Sequence, residues 1–135
     1  MPPGNNLEVA MSPSALRRSL IAAGALAALA LPAAAHHGWT GYDQKDFALT
    51  GVVQTASLDW PHGLLKVKAA DGGVWDVVLA PPNAIANAGL TMAAVLAGTK
   101  VTARGHRHLD PARKEIKTER LVVGTKTYDL YPNRS

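Results

Sequence analysis

Leu65-Lys66-Val67-Lys68-Ala69 alternates apolar with charged residues, Asp71-Gly72-Gly73 interrupts it, and Trp75, Val77 and Leu79 resume the alternation around Asp76. Side chains on a strand point to opposite faces in turn, so this period of two specifies strands with one wet face. An Asp-Gly pair between two such runs specifies a hairpin. A lone hairpin is marginal in water, so this segment constrains the chain to supply further strands that cover its apolar face.

Those strands are legible on both sides. Phe47 to Leu58 (FALTGVVQTASL) reads as one long strand, with Phe47, Leu49 and Val53 on one parity and Ala56 and Leu58 on the other. The phase slips near Gly51, which predicts a bulge or bend there. Asp59-Trp60-Pro61-His62-Gly63 is a loop. After Pro81-Pro82, Asn83 to Ala88 reads as a short helix closed by Gly89. Thr91 reads as the N-cap of a second helical stretch, Met92 to Ala97, that stops at Gly98. Val101, Ala103 and Gly105 mark a fourth strand, and a fifth runs from about Glu115 to Val123. The tail from Thr127 to Tyr131 is an edge-strand candidate before Pro132.

Three strands, a helical connection and two more strands are the element order of an all-β, five-stranded OB-like barrel. An SH3-like or open meander barrel is the alternative pairing of the same strands. The domain is expected over residues 47–131, with an N-terminal arm over 36–46 and a tail over 132–135.

The first 35 residues read as an address. Arg17-Arg18 precede the apolar run Ser19 to Leu31, followed by Pro32 and Ala33-Ala34-Ala35. A positive n-region, an apolar h-region and small residues at a cleavage site make a secretory signal peptide over residues 1–35, with Met11 a plausible true start. Arg17-Arg18-Ser19-Leu20-Ile21 also fits a twin-arginine pattern loosely. The expected location is therefore the periplasm, with no membrane anchor after cleavage. The mature chain would hold 100 residues with 12 basic and 9 acidic side chains, net +3. That modest charge, on an exported protein, argues against a nucleic-acid partner. The chain has no cysteine, which excludes disulfides, thiolate metal cages and a cysteine nucleophile.

His36-His37-Gly38-Trp39, Tyr42-Asp43, Thr50-Gly51-Val52-Val53, Trp60-Pro61-His62, Trp75, Leu79, Pro81-Pro82, Gly89-Leu90, Gly98-Thr99-Lys100-Val101 and Gly105-His106 together carry a resemblance. The expected mature chain resembles an uncharacterised family of small exported bacterial proteins with a domain of unknown function. That family's pattern begins with His-His and has a Gly-x-Val strand, an Asn-Pro-His loop and a later Gly-x-x-Val-x-Val-x-Gly strand. Trp60 stands here in place of the usual Asn, and Ala103 in place of a usual Val. The resemblance implies export and a small β-barrel, and it brings no activity with it.

Possible chemistry rests on five histidines. Cleavage after Ala35 would make His36 the first residue. Its α-amine and ring nitrogen could then chelate one metal ion, with a further imidazole completing a nitrogen set that suits tetragonal Cu(II). Cleavage after Ala34 would place His37 third from the amine, another square-planar arrangement. The bland alternative is that His36 and His37 are a polar start to the mature chain. His106 and His108 share a strand face and could both meet an ion; otherwise they are solvated residues of a basic segment. His62, in the first inter-strand loop, lies by strand parity toward the opposite end from His106. It is a third candidate ligand, or a residue that only fixes its turn. Asp43, Asp46, Asp59 and Asp76 have no oxygen-ligand loop spacing and read as turn residues, with Asp43 or Asp59 the alternative partners that could orient an imidazole. No Gly-x-Ser-x-Gly elbow or phosphate loop is present, so no enzyme is expected. Two functions follow as expectations. One is Cu(II) binding through His36 with His37 and one of His62, His106 or His108. The other is an interaction module of the cell envelope whose face, with Trp60, Lys66 and Lys68, holds an anionic ligand, a glycan or a protein partner.

Overall fold

The computed structural model describes residues 38–134. The expected signal peptide and His36-His37 lie outside the described residues. From Gly41 onward the chain forms one compact unit, mostly strand with a single short helix.

β1 spans Tyr42–Ser57, β2 Leu64–Ala69 and β3 Val74–Val78. The helix α1 spans Pro82–Asn87, followed by a 3₁₀ turn at Met92–Val95. β4 spans Lys100–His108, β5 Glu115–Val123 and β6 Lys126–Asp129. One sheet holds all six, in the order β3-β2-β1-β4-β5-β6. All of those neighbours are antiparallel. β3 also pairs with β5 in parallel, through Asp76↔Glu115, Val77↔Ile116 and Val78↔Lys117, so five strands close into a ring.

The inward residues are those the alternation singles out. Leu49 and Val53 of β1, Leu65 and Val67 of β2, Trp75 and Val77 of β3, Val101 and Ala103 of β4 and Ile116 of β5 are all buried in one cluster. α1 adds Ile85 to it, and Leu121, Tyr128 and Leu130 extend it toward β6. Phe47 stacks on Trp75 with ring centroids 5.5 Å apart, and the Arg107 guanidinium lies 4.8 Å from the Trp75 centroid. Such a layered pair of rings under a cation combines apolar burial with cation–π attraction.

β1 begins at Tyr42, earlier than the arm expected over 36–46 allows, because its first residues pair with the end of β4 (Tyr42↔His108). The phase slip in β1 is real but sits at Gln54, not Gly51: register against β2 shifts between Val53 and Thr55. Gly51 has a different reason to be glycine. A Cβ there would stand 2.4 Å from the Lys68 carbonyl oxygen and 2.7 Å from Val67. The stretch expected as a helix from Met92 to Ala97 is only the 3₁₀ turn, and Thr91 makes no side-chain cap. The Gly98 N–H donates to the Val53 carbonyl and the Val53 N–H to the Thr99 carbonyl. These bonds tie the chain to β1 before a longer helix can form.

β5 is buried on both faces from Glu115 to Glu119. Ile116 and Thr118 are fully inaccessible to solvent. Glu115, Lys117 and Glu119 alternate with them, and their face is covered from outside the ring. The Leu130 N–H donates to the Glu119 carbonyl, Arg120 Nη2 donates to the Arg134 carbonyl, and the Tyr42 hydroxyl donates to Glu115. That covered face is where the titratable side chains of the fold gather.

Candidate functional site

The site is assembled by register. Antiparallel pairing sets His106 of β4 opposite Lys117 of β5 and opposite Asp46 of β1, and sets His108 opposite Tyr42. Directly opposed residues share a face. A second register shift, where Arg104↔Arg120 gives way to Gly105↔Thr118, inserts Glu119 as an extra residue on β5. The strands approach closely there: a Cβ on Gly105 would stand 1.9 Å from the Lys117 carbonyl oxygen.

The two histidines of β4 have different surroundings. His106 is nearly inaccessible, and both ring nitrogens are engaged. Nδ1 is 3.1 Å from the Lys45 carbonyl and Nε2 is 2.9 Å from Glu119 Oε1. Arg134 Nε donates to the same Glu119 oxygen at 3.0 Å. A ring held between two oxygens in this way is a structural tie between β1, β5 and the C-terminal segment. It could ligate a metal only by giving up one of those contacts.

His108 accepts a hydrogen bond at Nδ1 from the Asp110 N–H, at 3.0 Å. That bond places the neutral ring's proton on Nε2, which lies 4.0 Å from Glu115 Oε2. The Tyr42 ring packs edge-on against the imidazole at 5.4 Å. Glu115 is held on its other oxygen by the Tyr42 hydroxyl, at 3.1 Å. Arg113 Nη2 stands 2.8 Å from Glu115 Oε2, an ion pair without an aligned hydrogen bond. His108, Glu115 and Tyr42 therefore form a small, oriented donor set beside the first residues of β1. A Cβ on Gly41 would stand 3.7 Å from His108 Nε2.

Charge in this region is strongly coupled. Burial and then the Glu115 carboxylate push the Tyr42 phenol up to about 12. Burial lowers the Lys117 ammonium below its ordinary range, and the Arg134 guanidinium lowers it further against an opposing pull from Glu115. His62 is held below the ordinary imidazole range, first by partial burial and then by Lys117. Tyr131 is raised by burial, with Arg134 working against it.

His62 thus has Lys117 as a charged neighbour, and Lys117 is the cross-strand partner of His106. The expectation that His62 and His106 lie toward opposite ends is corrected. Leu64 pairs with Val78, and Val78 pairs with Lys117 across the β3–β5 closure. That closure carries the loop before β2 to the β5 side. Even so, among the described residues no three His, Asp or Glu side chains converge as a metal cage. His36 and His37, the other two expected ligands, lie outside the described residues. Trp60 is exposed and Lys66 is paired with Asp76.

Sequence reasoning treated Glu115 to Val123 as a plain strand and Arg134 as tail. It missed Tyr42, Glu115, Lys117, Glu119 and Arg134. A usable signal was present: Glu115-x-Lys117-x-Glu119 alternates titratable groups on one strand face, as His106-x-His108 does.

A family profile matches residues 23–118, most of the chain, and its description is a family of unknown function, DUF6152. The chain belongs to this family. The DUF6152 match takes in His62, His106, His108, Glu115 and Lys117 and ends before Glu119, so the Glu119–Arg134 contact lies beyond it. A comparison with curated proteins returned no match.

Proposed function

We propose that the protein is an exported OB-like β-barrel that binds Cu(II) through His36 and His37 together with His108. Its role is metal binding or delivery in the periplasm, not catalysis. The OB-like reading is supported by the ring order β1-β2-β3-β5-β4, with α1 between β3 and β4.

The observation that carries the metal reading is His108. Its Nε2 lies 4.0 Å from the Glu115 carboxylate and 3.7 Å from where a Cβ on Gly41 would stand, beside the segment that leads back to His37. His37 precedes Gly41 by four residues in sequence, a tether of at most about 14 Å when extended. His36 as a first residue would contribute its amine and ring, and His108 Nε2 a third nitrogen. Such a set favours a tetragonal Cu(II) ion. Glu115 would neutralise charge. Ligation through Nε2 uses the tautomer protonated at Nδ1, so His108 would exchange its bond from the Asp110 N–H for the ion.

The test is a Cu(II) titration with EPR on chain beginning at His36, on the same chain extended by Ala35, and on His108→Ala and His106→Ala. The expected spectrum is nitrogen-rich and tetragonal, altered by the extension and weakened by His108→Ala. Unchanged affinity on replacing His36 by Ala would overturn the reading. Mass spectrometry of the periplasmic fraction tests the cleavage at Ala35.

A further inference from the structure

Five cations of the described fold are engaged by carboxylates or by the aromatic ring of Trp75. Lys66 pairs with Asp76, Arg113 with Glu115, Arg120 with Asp129 and Arg134 with Glu119, while Arg107 lies over Trp75. Lys68, Lys100 and Arg104, like Lys45 and Lys114, have no ion pair to a carboxylate among the described residues, and register places these three on one face outside the ring. Val52 of β1 is flanked by Lys68 on β2 and Lys100 on β4, and Arg104 stands opposite Ala48. Lys100 and Arg104 are four residues apart on one strand, about 13 Å. Lys68 and Lys100 are two strand spacings apart, about 10 Å.

The area between these cations carries no charge. Thr50 and Thr102 hydrogen-bond to each other at 2.8 Å, and Val52 is 43% exposed, a large value for a valine. Open hollows lie on both sides of β4. One of about 380 Å³ runs between Lys68 and Lys100 over Thr50, Gly51 and Val52, and one of about 420 Å³ runs along Thr102 and Val122. Acidic groups lie toward the ends of the face, where Lys66 meets Asp76, Arg120 meets Asp129, and Asp46 lines one hollow with Arg104.

We propose that this face docks on an anionic phospholipid surface. The cations are too widely spread to close on one small anion. The hollows lie on two sides of a strand rather than forming one channel for an extended chain. Two lysines flanking an exposed valine, with Arg104 about 13 Å further along β4, instead match several headgroup phosphates at once, with the apolar side chain reaching the interface between the lysines. Attraction of unpaired Lys and Arg to anionic headgroups is additive and falls away with salt. The face lies wholly within β1, β2, β4 and β5, so the proposal stands apart from metal binding and from the site of cleavage.

The test is co-sedimentation of the chain from His36, whose core residues all lie between Leu49 and Leu130. Vesicles of phosphatidylcholine with about 30 mol% phosphatidylglycerol are compared with vesicles of phosphatidylcholine alone. Binding to the anionic vesicles alone is expected, lost at about 0.5 M salt. Lys100→Gln with Arg104→Gln is expected to weaken it about twenty-five-fold, at about fivefold per cation. Lys45→Gln with Lys114→Gln, which removes the same charge elsewhere, leaves it within about threefold. Equal binding to both vesicles, equal losses in the two double variants, or binding to soluble polyglutamate in place of vesicles would each overturn the proposal.

Discussion

Replacing His106 by alanine separates a structural histidine from a ligand. The ring is 8% exposed and bridges the Lys45 carbonyl on β1 and Glu119 on β5. The bond to a neutral carbonyl contributes about 1 kcal/mol and the bond to a carboxylate about 2 kcal/mol. Glu119 keeps Arg134, so the loss adds no orphaned carboxylate. His106→Ala is therefore expected to cost about 3 kcal/mol, a large share of the stability of a domain this size. Thermal midpoints of roughly 100-residue domains fall by about 4–8 °C per kcal/mol, which sets an expected drop of about 12–24 °C. Denaturant melts of the chain from His36, followed by Trp fluorescence, measure the free-energy loss, and thermal melts the shift in midpoint. His108→Ala removes one hydrogen bond and an edge contact with Tyr42 and is expected to cost about 1 kcal/mol. Its main effect is on copper affinity. A loss below about 1 kcal/mol in His106→Ala, or a copper defect equal to that of His108→Ala, would refute the assignment of the two rings.

Four further outcomes follow from the same geometry. Gly105→Ala drives a Cβ into the Lys117 backbone and is expected to destabilise by about 3 kcal/mol, read by the same melts. Thr118 Oγ1 is buried with no hydrogen-bond partner among the described residues, so Thr118→Val is expected to raise stability by about 1 kcal/mol; a loss would show that the hydroxyl is satisfied. The imidazole of His62 is depressed in the fold, so the unfolded chain binds more protons near pH 6 and stability falls as pH drops below the ordinary value of about 6.5. His62→Gln flattens that slope, and Lys117→Met raises the His62 pKa in an NMR titration. The Tyr42 phenol is expected to ionise only near pH 12, with stability lost between the ordinary value of 10 and that pH. Glu115→Gln lowers its midpoint in an ultraviolet titration.

Much of the fold was legible because strand alternation is a local property. Leu65, Val67, Trp75, Val77, Val101 and Ala103 face the core as their period of two requires. The slip in β1 was legible as a phase change, yet its position was not. Gly51 and Gln54 lie three residues apart, and only the partner strands distinguish a close backbone approach from a bulge. The candidate site was legible by half. Histidine draws the eye as a ligand, whereas Glu115, Lys117 and Glu119 look like the wet face of an ordinary strand. They are buried because the C-terminal segment and Tyr42 cover them, and neither neighbour is close in sequence.

The amino-acid sequence alone determined the strands, their inward parity, the Asp71-Gly72-Gly73 turn and the absence of thiol chemistry. These depend on side-chain period, turn conformation and composition, which act over a few residues. Tertiary structure alone decided the parallel β3–β5 closure that brings His62 to Lys117. It also decided the different fates of His106 and His108, two residues apart on one strand. His106 meets Lys45, 61 positions earlier, and Glu119, 13 later, while Glu115 beside His108 is fixed by Tyr42, 73 positions away from it. What an imidazole can do depends on the groups facing its two nitrogens, and here β1, β5 and the C-terminal segment supply most of them.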